Sequence, residues 1–305
     1  MNHPLVQGVI PVAHTPFTTT DDIDWESLAR QVDWALEQGA DGFCTGMVSE
    51  LLRLTADERL EITRRLAEMN AGRGAFVASV GAESTKQAVQ FATAAEQAGA
   101  QGVMAIPPLS SALPATEIIA YFSALANAIT LPIIVQDASG YVGQAIPQAV
   151  YLELLDHFGP ERILFKPEAS PIGPIISALR DTTSGAAKVF EGSGGNLLID
   201  SYRRGIAGTI PGMEFLPGVI AVWRALQQGD EEYAYRVYLP LCALVTLQLQ
   251  GGLDGFLAVE KYVLHARGLF TTDNRRHPYA YEMDSETREE VDRLLDRLNA
   301  AIQQR

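Results

Sequence analysis

The stretch EQGADGF, residues 37–43, decides the fold reading. It is a helix end, a glycine at 39, two residues, a second glycine at 42 and the start of an apolar run. The same arrangement returns in EQAGAQGV (96–103) and RRGIAGT (203–209). The first glycine suits a left-handed helix cap, and the second lets the following strand start close to the helix. From Phe43 to Val103 is 60 residues, the length of two strand–helix units of ~30 residues each.

Outward from these joins the pattern repeats. Short apolar runs at 8–13, 42–45, 76–80, 102–106, 132–136, 163–166, 189–191 and 208–210 read as eight buried parallel strands. Helical patterns separate them: 24–38 behind an Asp cap, 56–71 behind the capping box Thr55-Ala-Asp-Glu58, then 84–98, 114–128, 147–158, 171–179 and 196–204. The fold class expected is α/β, a (β/α)8 barrel. A doubly wound open sheet stays open as the alternative, because periodicity does not show closure. After Gly212 strands stop, and 216–228, 231–250, 254–267 and 285–304 read as helices. The first is the eighth barrel helix. The expected domains are a barrel over 1–228 and a C-terminal helical extension over 229–305.

The 305 residues carry 37 acidic and 23 basic side chains, a net charge of -14. That balance, with no basic run, argues against a nucleic-acid partner. Cys44 and Cys242 are too few and too far apart for a disulfide scaffold or a cysteine metal site. The N-terminus lacks the pattern of a secretory leader, and the longest apolar run, near 239–249, is too short to span a bilayer. A soluble, cytoplasmic, globular protein with no membrane partner is expected. No His/Asp/Glu group has metal-ligand spacing, so no metal is expected either.

Only four residues are lysines: Lys86, Lys166, Lys188 and Lys261. In a barrel, chemistry sits at the C-terminal strand ends. Lys188 opens a strand, Lys86 starts a helix and Lys261 lies in the extension. Lys166 closes a strand in ILFKPEAS and alone is placed to react. Burial favours the neutral amine that attacks a carbonyl. The structural alternative is an ion pair with Glu168 or Glu191.

Several motifs now line up. They are Thr15-Pro16-Phe17 after the first strand, Gly46-x-x-Ser49-Glu50 after the second, and Leu131-Pro132-Ile133-Ile134 entering the fifth. Lys166 with Glu168 on the sixth, Glu191-Gly192 on the seventh and Gly205-Ile-Ala-Gly208-Thr-Ile at the eighth complete the set. Over essentially its whole length the chain resembles the dihydrodipicolinate synthase / N-acetylneuraminate lyase family. The resemblance implies a (β/α)8 barrel with a three-helix C-terminal extension, usually a homotetramer. It also implies a lysine that forms a Schiff base with a small 2-keto acid such as pyruvate, with no separate cofactor.

The chain departs from the family pattern in four places. Gln136 stands where the family has a strand-five tyrosine, and Leu109 where it has a second tyrosine. Met47 and Val48 replace two loop hydroxyls, and Tyr141 an arginine that reads a second carboxylate. A glutamine does not relay a proton as a phenol does, so true dihydrodipicolinate synthase activity is not expected. Ser49-Glu50, Gln136-Asp137-Ala138, Lys166-Pro167-Glu168, Glu191-Gly192 and Arg276-His277-Pro278 instead resemble the branch of L-2-keto-3-deoxyarabonate dehydratases.

The expected reaction is therefore dehydration, or retro-aldol cleavage, of a 2-keto-3-deoxy sugar acid. Lys166 is the nucleophile. Glu168, two residues on and on the same strand face, moves protons, with an ion pair or loop brace as its alternative role. Gln136 polarises a substrate oxygen. Ser49 holds the carboxylate with its loop amides, or caps a helix. Met47, Val48, Glu191, Gly192, Ser193 and Ile210 line the substrate. Glu50 braces its loop, Asp137 points away, His14 is an ordinary hydrogen-bonded histidine and His277 serves a loop or subunit contact. Two other readings remain: a deaminase of a cyclic imino acid from hydroxyproline breakdown, and a catalytically silent keto-acid-binding protein.

Overall fold

The computed structural model describes residues 6–304. Each apolar run becomes a strand: β1 (Gly8–Val9), β2 (Gly42–Cys44), β3 (Ala75–Ser79), β4 (Gly102–Ala105), β5 (Ile133–Asp137), β6 (Ile163–Pro167), β7 (Phe190–Glu191) and β8 (Gly208–Thr209). They alternate with α1 (Trp25–Glu37), α2 (Ala56–Asn70), α3 (Thr85–Ala98), α4 (Ala115–Ala128), α5 (Gln148–Phe158), α6 (Ile172–Thr182), α7 (Leu198–Arg203) and α8 (Leu216–Gln228). Three more helices follow: α9 (Glu231–Leu249), α10 (Gly252–Ala266) and α11 (Ser285–Gln303). This is the element order of a (β/α)8 barrel with three C-terminal helices. No helix among the described residues is long and apolar enough to cross a membrane.

Local signals set the boundaries. Asp24 accepts the Ser27 amide and starts α1. Thr55 and Glu58 form the capping box, each side chain taking the other's backbone N–H at 3.2 and 2.8 Å. The leading glycines of the three joins sit at φ +92, +94 and +87 (Gly39, Gly99, Gly205), a region that residues with a Cβ rarely enter. The first strand is shorter than its apolar run. Pro11 has no N–H to donate, so pairing stops after Val9 and resumes only as single bridges at Val12. Helix α6 continues past the expected end at 179 and stops before Gly185, whose φ is +81.

The chain forms two compact units. The first comprises Met1–Gly8, Thr55–Gly192 and Asp200–Thr209. Its strands pair in parallel from β3 through β4 and β5 to β6; a Phe165–Val189 bridge continues to β7, which pairs with β8. Val77, Val103, Val135 and Phe165 are fully buried, as strands covered on both faces require. The second unit comprises Val9–Leu54, Ser193–Ile199 and Ile210–Arg305. In it Val12 bridges Cys44 and Gly212 in parallel, and α9 packs on α8, α10 and α11.

Candidate active site

In the first unit β5 and β6 pair in register, with Gln136 directly opposite Lys166 and Asp137 opposite Pro167. Side chains alternate along a strand. Gln136 and Lys166 therefore share one face, and Asp137 turns to the other. Pro167 does not break the strand line, because the Glu168 amide still donates to the Asp137 carbonyl at 2.9 Å. Glu168 thus returns to the face of Lys166. Its Oε1 lies 3.0 Å from Lys166 Nζ, and its Oε2 accepts from Gln136 Nε2 at 2.7 Å. All three side chains are buried.

Burial pushes the Glu168 carboxyl above the usual glutamate range; Lys166 and Gln136 oppose the shift, and Glu191 adds to it. The raised carboxyl stands beside an amine that must lose a proton before it can attack a carbonyl. Gln136 Oε1 is buried and meets no hydrogen-bond donor among the described residues. An acceptor left in that state seeks a hydroxyl. Gly192 borders the group. A Cβ there would stand 2.6 Å from Lys166 Cε and 2.7 Å from Glu168 Oε1, so the lysine occupies space that any other residue would fill. Glu191 is fully buried and accepts from Thr209 Oγ1 at 2.7 Å.

Asp137 points away, as expected. Its carboxylate takes the amides of Ser139 and Ile146 at 2.9 and 2.8 Å and the Tyr151 hydroxyl at 3.3 Å. It ties down the segment that leaves β5.

The remaining expected substrate contacts belong to the second unit. Ser49 is buried; its hydroxyl donates to the Ala13 carbonyl and accepts from the Gly46 amide at 3.0 Å. The serine proton therefore goes to the segment after β1, while the oxygen takes the amide of Gly46, the cap residue of the 47–49 turn. Met47 is buried and Val48 half-buried, and the Val48 carbonyl lies 3.1 Å from His14 Nδ1. Ser193 caps the next turn by accepting the Leu197 amide at 2.9 Å. Ile210 is buried. His277 is exposed and stacks on Tyr279 with ring centroids 4.4 Å apart.

Glu50 does brace its loop. Its Oε2 accepts the Arg276 amide at 2.9 Å and its Oε1 pairs with Lys261 Nζ at 2.8 Å. Lys261, which the sequence reading left without a role, is fully buried. Its other protons go to the carbonyls of Thr15 and Asn274, and it lies 4.4 Å from the Phe17 ring centre. The second unit also brings together His14, Glu214 and Glu260, all buried, with candidate donor atoms within 4.8 Å of one another. Local spacing does not reveal a group assembled from positions 14, 214 and 260. The available signal was a charged pair, Glu260-Lys261, inside the apolar stretch 256–264 of α10.

Comparison with known proteins agrees with this organisation. The model of the dihydrodipicolinate synthetase family matches residues 5–298. The chain is 29% identical over 310 residues to an L-2-keto-3-deoxyarabonate dehydratase of Azospirillum brasilense, covering 98% of this chain and 96% of that one. The 4-hydroxy-tetrahydrodipicolinate synthase of Methylacidiphilum fumariolicum SolV superposes with a TM-score of 0.87 at 23% identity, covering 98% of this chain and 97% of the other. The prophage protein YagE of E. coli K12, solved in complex with pyruvate, superposes with a TM-score of 0.85 at 22% identity, covering 97% and 99%. These superpositions carry the (β/α)8 fold. The chain belongs to the dihydrodipicolinate synthetase family and is an enzyme of its lyase class.

Proposed function

We propose that the protein is a Schiff-base-forming dehydratase of a 2-keto-3-deoxy sugar acid. The observation that carries this reading is the buried triad in which Glu168 bridges Lys166 Nζ at 3.0 Å and Gln136 Nε2 at 2.7 Å. The similarity to an L-2-keto-3-deoxyarabonate dehydratase along almost the whole chain supports it, as does the pyruvate bound to a relative of the same fold.

The chemistry follows from what each group holds. Lys166 Nζ attacks the C2 carbonyl, and loss of water leaves a protonated imine. That cation draws electrons from C3 and makes its proton acidic. Glu168, once ionised, takes the C3 proton, giving an enamine. The enamine then expels the C4 hydroxyl, and Glu168 returns its proton to the departing oxygen, so that one water leaves. Gln136 holds Glu168 in place with its N–H and presents its carbonyl oxygen to a substrate hydroxyl. Gly192 keeps the lysine chain clear. Hydrolysis of the imine releases the unsaturated keto acid and frees the lysine.

Borohydride reduction in the presence of a panel of 2-keto-3-deoxy acids tests this. Peptide mass spectrometry should find a stable adduct on Lys166, and NMR of the unreduced reaction should show the dehydrated acid. An unmodified Lys166, under conditions that trap a control aldolase, would refute the covalent step. Pyruvate plus an aldehyde would mean C–C cleavage instead, and ammonia from a cyclic imino acid would mean deamination.

We also propose a homotetramer in solution. Helix α9 exposes Tyr235 (38%) and Leu239 (64%), one turn apart on the same face.

A further inference from the structure

The group of His14, Glu214 and Glu260 shares no residue with the Lys166 site, and nothing in the proposed reaction uses it. Its hydrogen bonding is unusual. His14 is fully buried, with Nδ1 3.1 Å from the Val48 carbonyl and Nε2 3.2 Å from the Met213 amide. A carbonyl only accepts and an amide only donates, so the two backbone groups fix the tautomer, with the proton on Nδ1 and the lone pair on Nε2.

Glu214 Oε2 lies 3.6 Å from that Nε2 and meets no hydrogen-bond donor among the described residues. The separation is too long for a hydrogen bond. Glu214 Oε2 is thus left in the interior without a donor, beside an imidazole nitrogen whose lone pair is held by the Met213 amide. Glu260 Oε2, 3.3 Å from Nδ1, also lacks a donor by hydrogen-bond geometry, and so does Gln248 Oε1, whose amide nitrogen holds Glu214 Oε1 at 2.9 Å. Gly212 lets the two carboxyl groups pack against the backbone: a Cβ there would stand 2.1 Å from Glu214 Oε2 and 2.9 Å from Glu260 Oε1.

Neighbouring cations do not fill this role. Lys261 gives its protons to Glu50 and to two backbone carbonyls. Arg267 acts on Glu214 only through space. Buried carboxyl groups that lack a bonded cation are costly to ionise.

We propose that His14, Glu214 and Glu260 form a buried site for one divalent transition-metal ion, of the Zn²⁺ or Mn²⁺ class. Two donors 3.6 Å apart subtend roughly 120° at an ion ~2.1 Å from each, close to the angle of a four-coordinate site. One imidazole with carboxylate oxygens suits these ions better than Ca²⁺. Nδ1–H on the Val48 carbonyl is the outer contact that orients a ligating histidine. The ion takes the Nε2 lone pair in place of the Met213 amide, with Gln248 Oε1 as the fourth donor. The site would join the end of the first barrel strand to the segment after β8 and to α9 and α10. The sequence-based expectation of no metal came from local spacing, to which such a site is invisible.

The test uses the full-length protein and the variants E214Q and E260Q, which keep side-chain shape. Each is stripped with a chelator, checked by far-UV circular dichroism, then titrated calorimetrically with Zn²⁺ and Mn²⁺. The wild type should bind one equivalent. Each variant should lose more than the roughly 10- to 100-fold in affinity that an outer-contact change costs. Absence of binding to wild type, or equal binding by the folded variants, overturns the proposal. X-ray absorption of the zinc-loaded wild type needs no variant. One imidazole among oxygen donors supports the site, and several imidazoles or any sulfur overturns it.

Discussion

Gln136 and Lys166 are direct cross-strand partners, so the residue in place of the family's strand-five tyrosine sits one strand spacing from the reactive lysine. The spacing lets Gln136 reach the Glu168 carboxylate at 2.7 Å while Lys166 reaches its other oxygen at 3.0 Å. The carboxylate thus stands where proton transfer is needed, although neither family phenol is present.

Replacing Lys166 separates this chemistry from simple binding. K166A should lower kcat/KM by at least ~10³-fold and abolish borohydride trapping. K166R should do the same, because a guanidinium stays protonated and does not attack a carbonyl. Steady-state kinetics with adduct mass measurement checks both.

Glu168 should report itself in pH dependence. Its carboxyl must be ionised to take the C3 proton, and burial raises it above 4.5. Activity should therefore fall as pH drops through a value above that of a free glutamate. In E168Q the rate should fall about 10²- to 10⁴-fold and that acid limb should vanish, while trapping on Lys166 persists. A pH profile of kcat/KM for both proteins decides the matter.

Lys261 predicts a stability effect. K261M leaves Glu50 buried without its 2.8 Å partner, and breaking such a pair costs about 3–5 kcal/mol. Thermal unfolding should show a large drop in Tm, and the K261M/E50Q double variant should recover part of it. Equal stability of the single and double variants would show that the pair is not the cause.

The exposed α9 face predicts an assembly effect. L239E places a charge on a side chain that is 64% exposed in the monomer, so the fold should be kept. If this face joins copies of the chain, light scattering should show a smaller species than wild type. An unchanged mass would remove α9 from the interface.

Much of the fold was legible because it rests on local chemistry. The glycine joins, the capping box at Thr55 and the apolar runs each act over a few residues. Ends drifted where a single residue intervened, as Pro11 did in β1 and Gly185 did after α6. In the site, the Lys166–Glu168 relation was legible from strand alternation alone, and so was the turning away of Asp137. The hydroxyl of Ser49 was harder, since its acceptor Ala13 lies 36 positions away. The clamp on Lys261 and the His14–Glu214–Glu260 group were not legible, because their decisive partners, Glu50 for Lys261 and Glu214 and Glu260 for His14, lie far apart in the sequence and meet only through packing.

Gly192 carries one further consequence. A single added methyl would stand 2.6 Å from Lys166 Cε, and so would tax only the one conformation in which the amine faces its carboxylate. G192A is thus a molecular dimmer: a folded protein whose nucleophile is turned aside, useful for capturing intact substrate in a crystal without removing any reacting group.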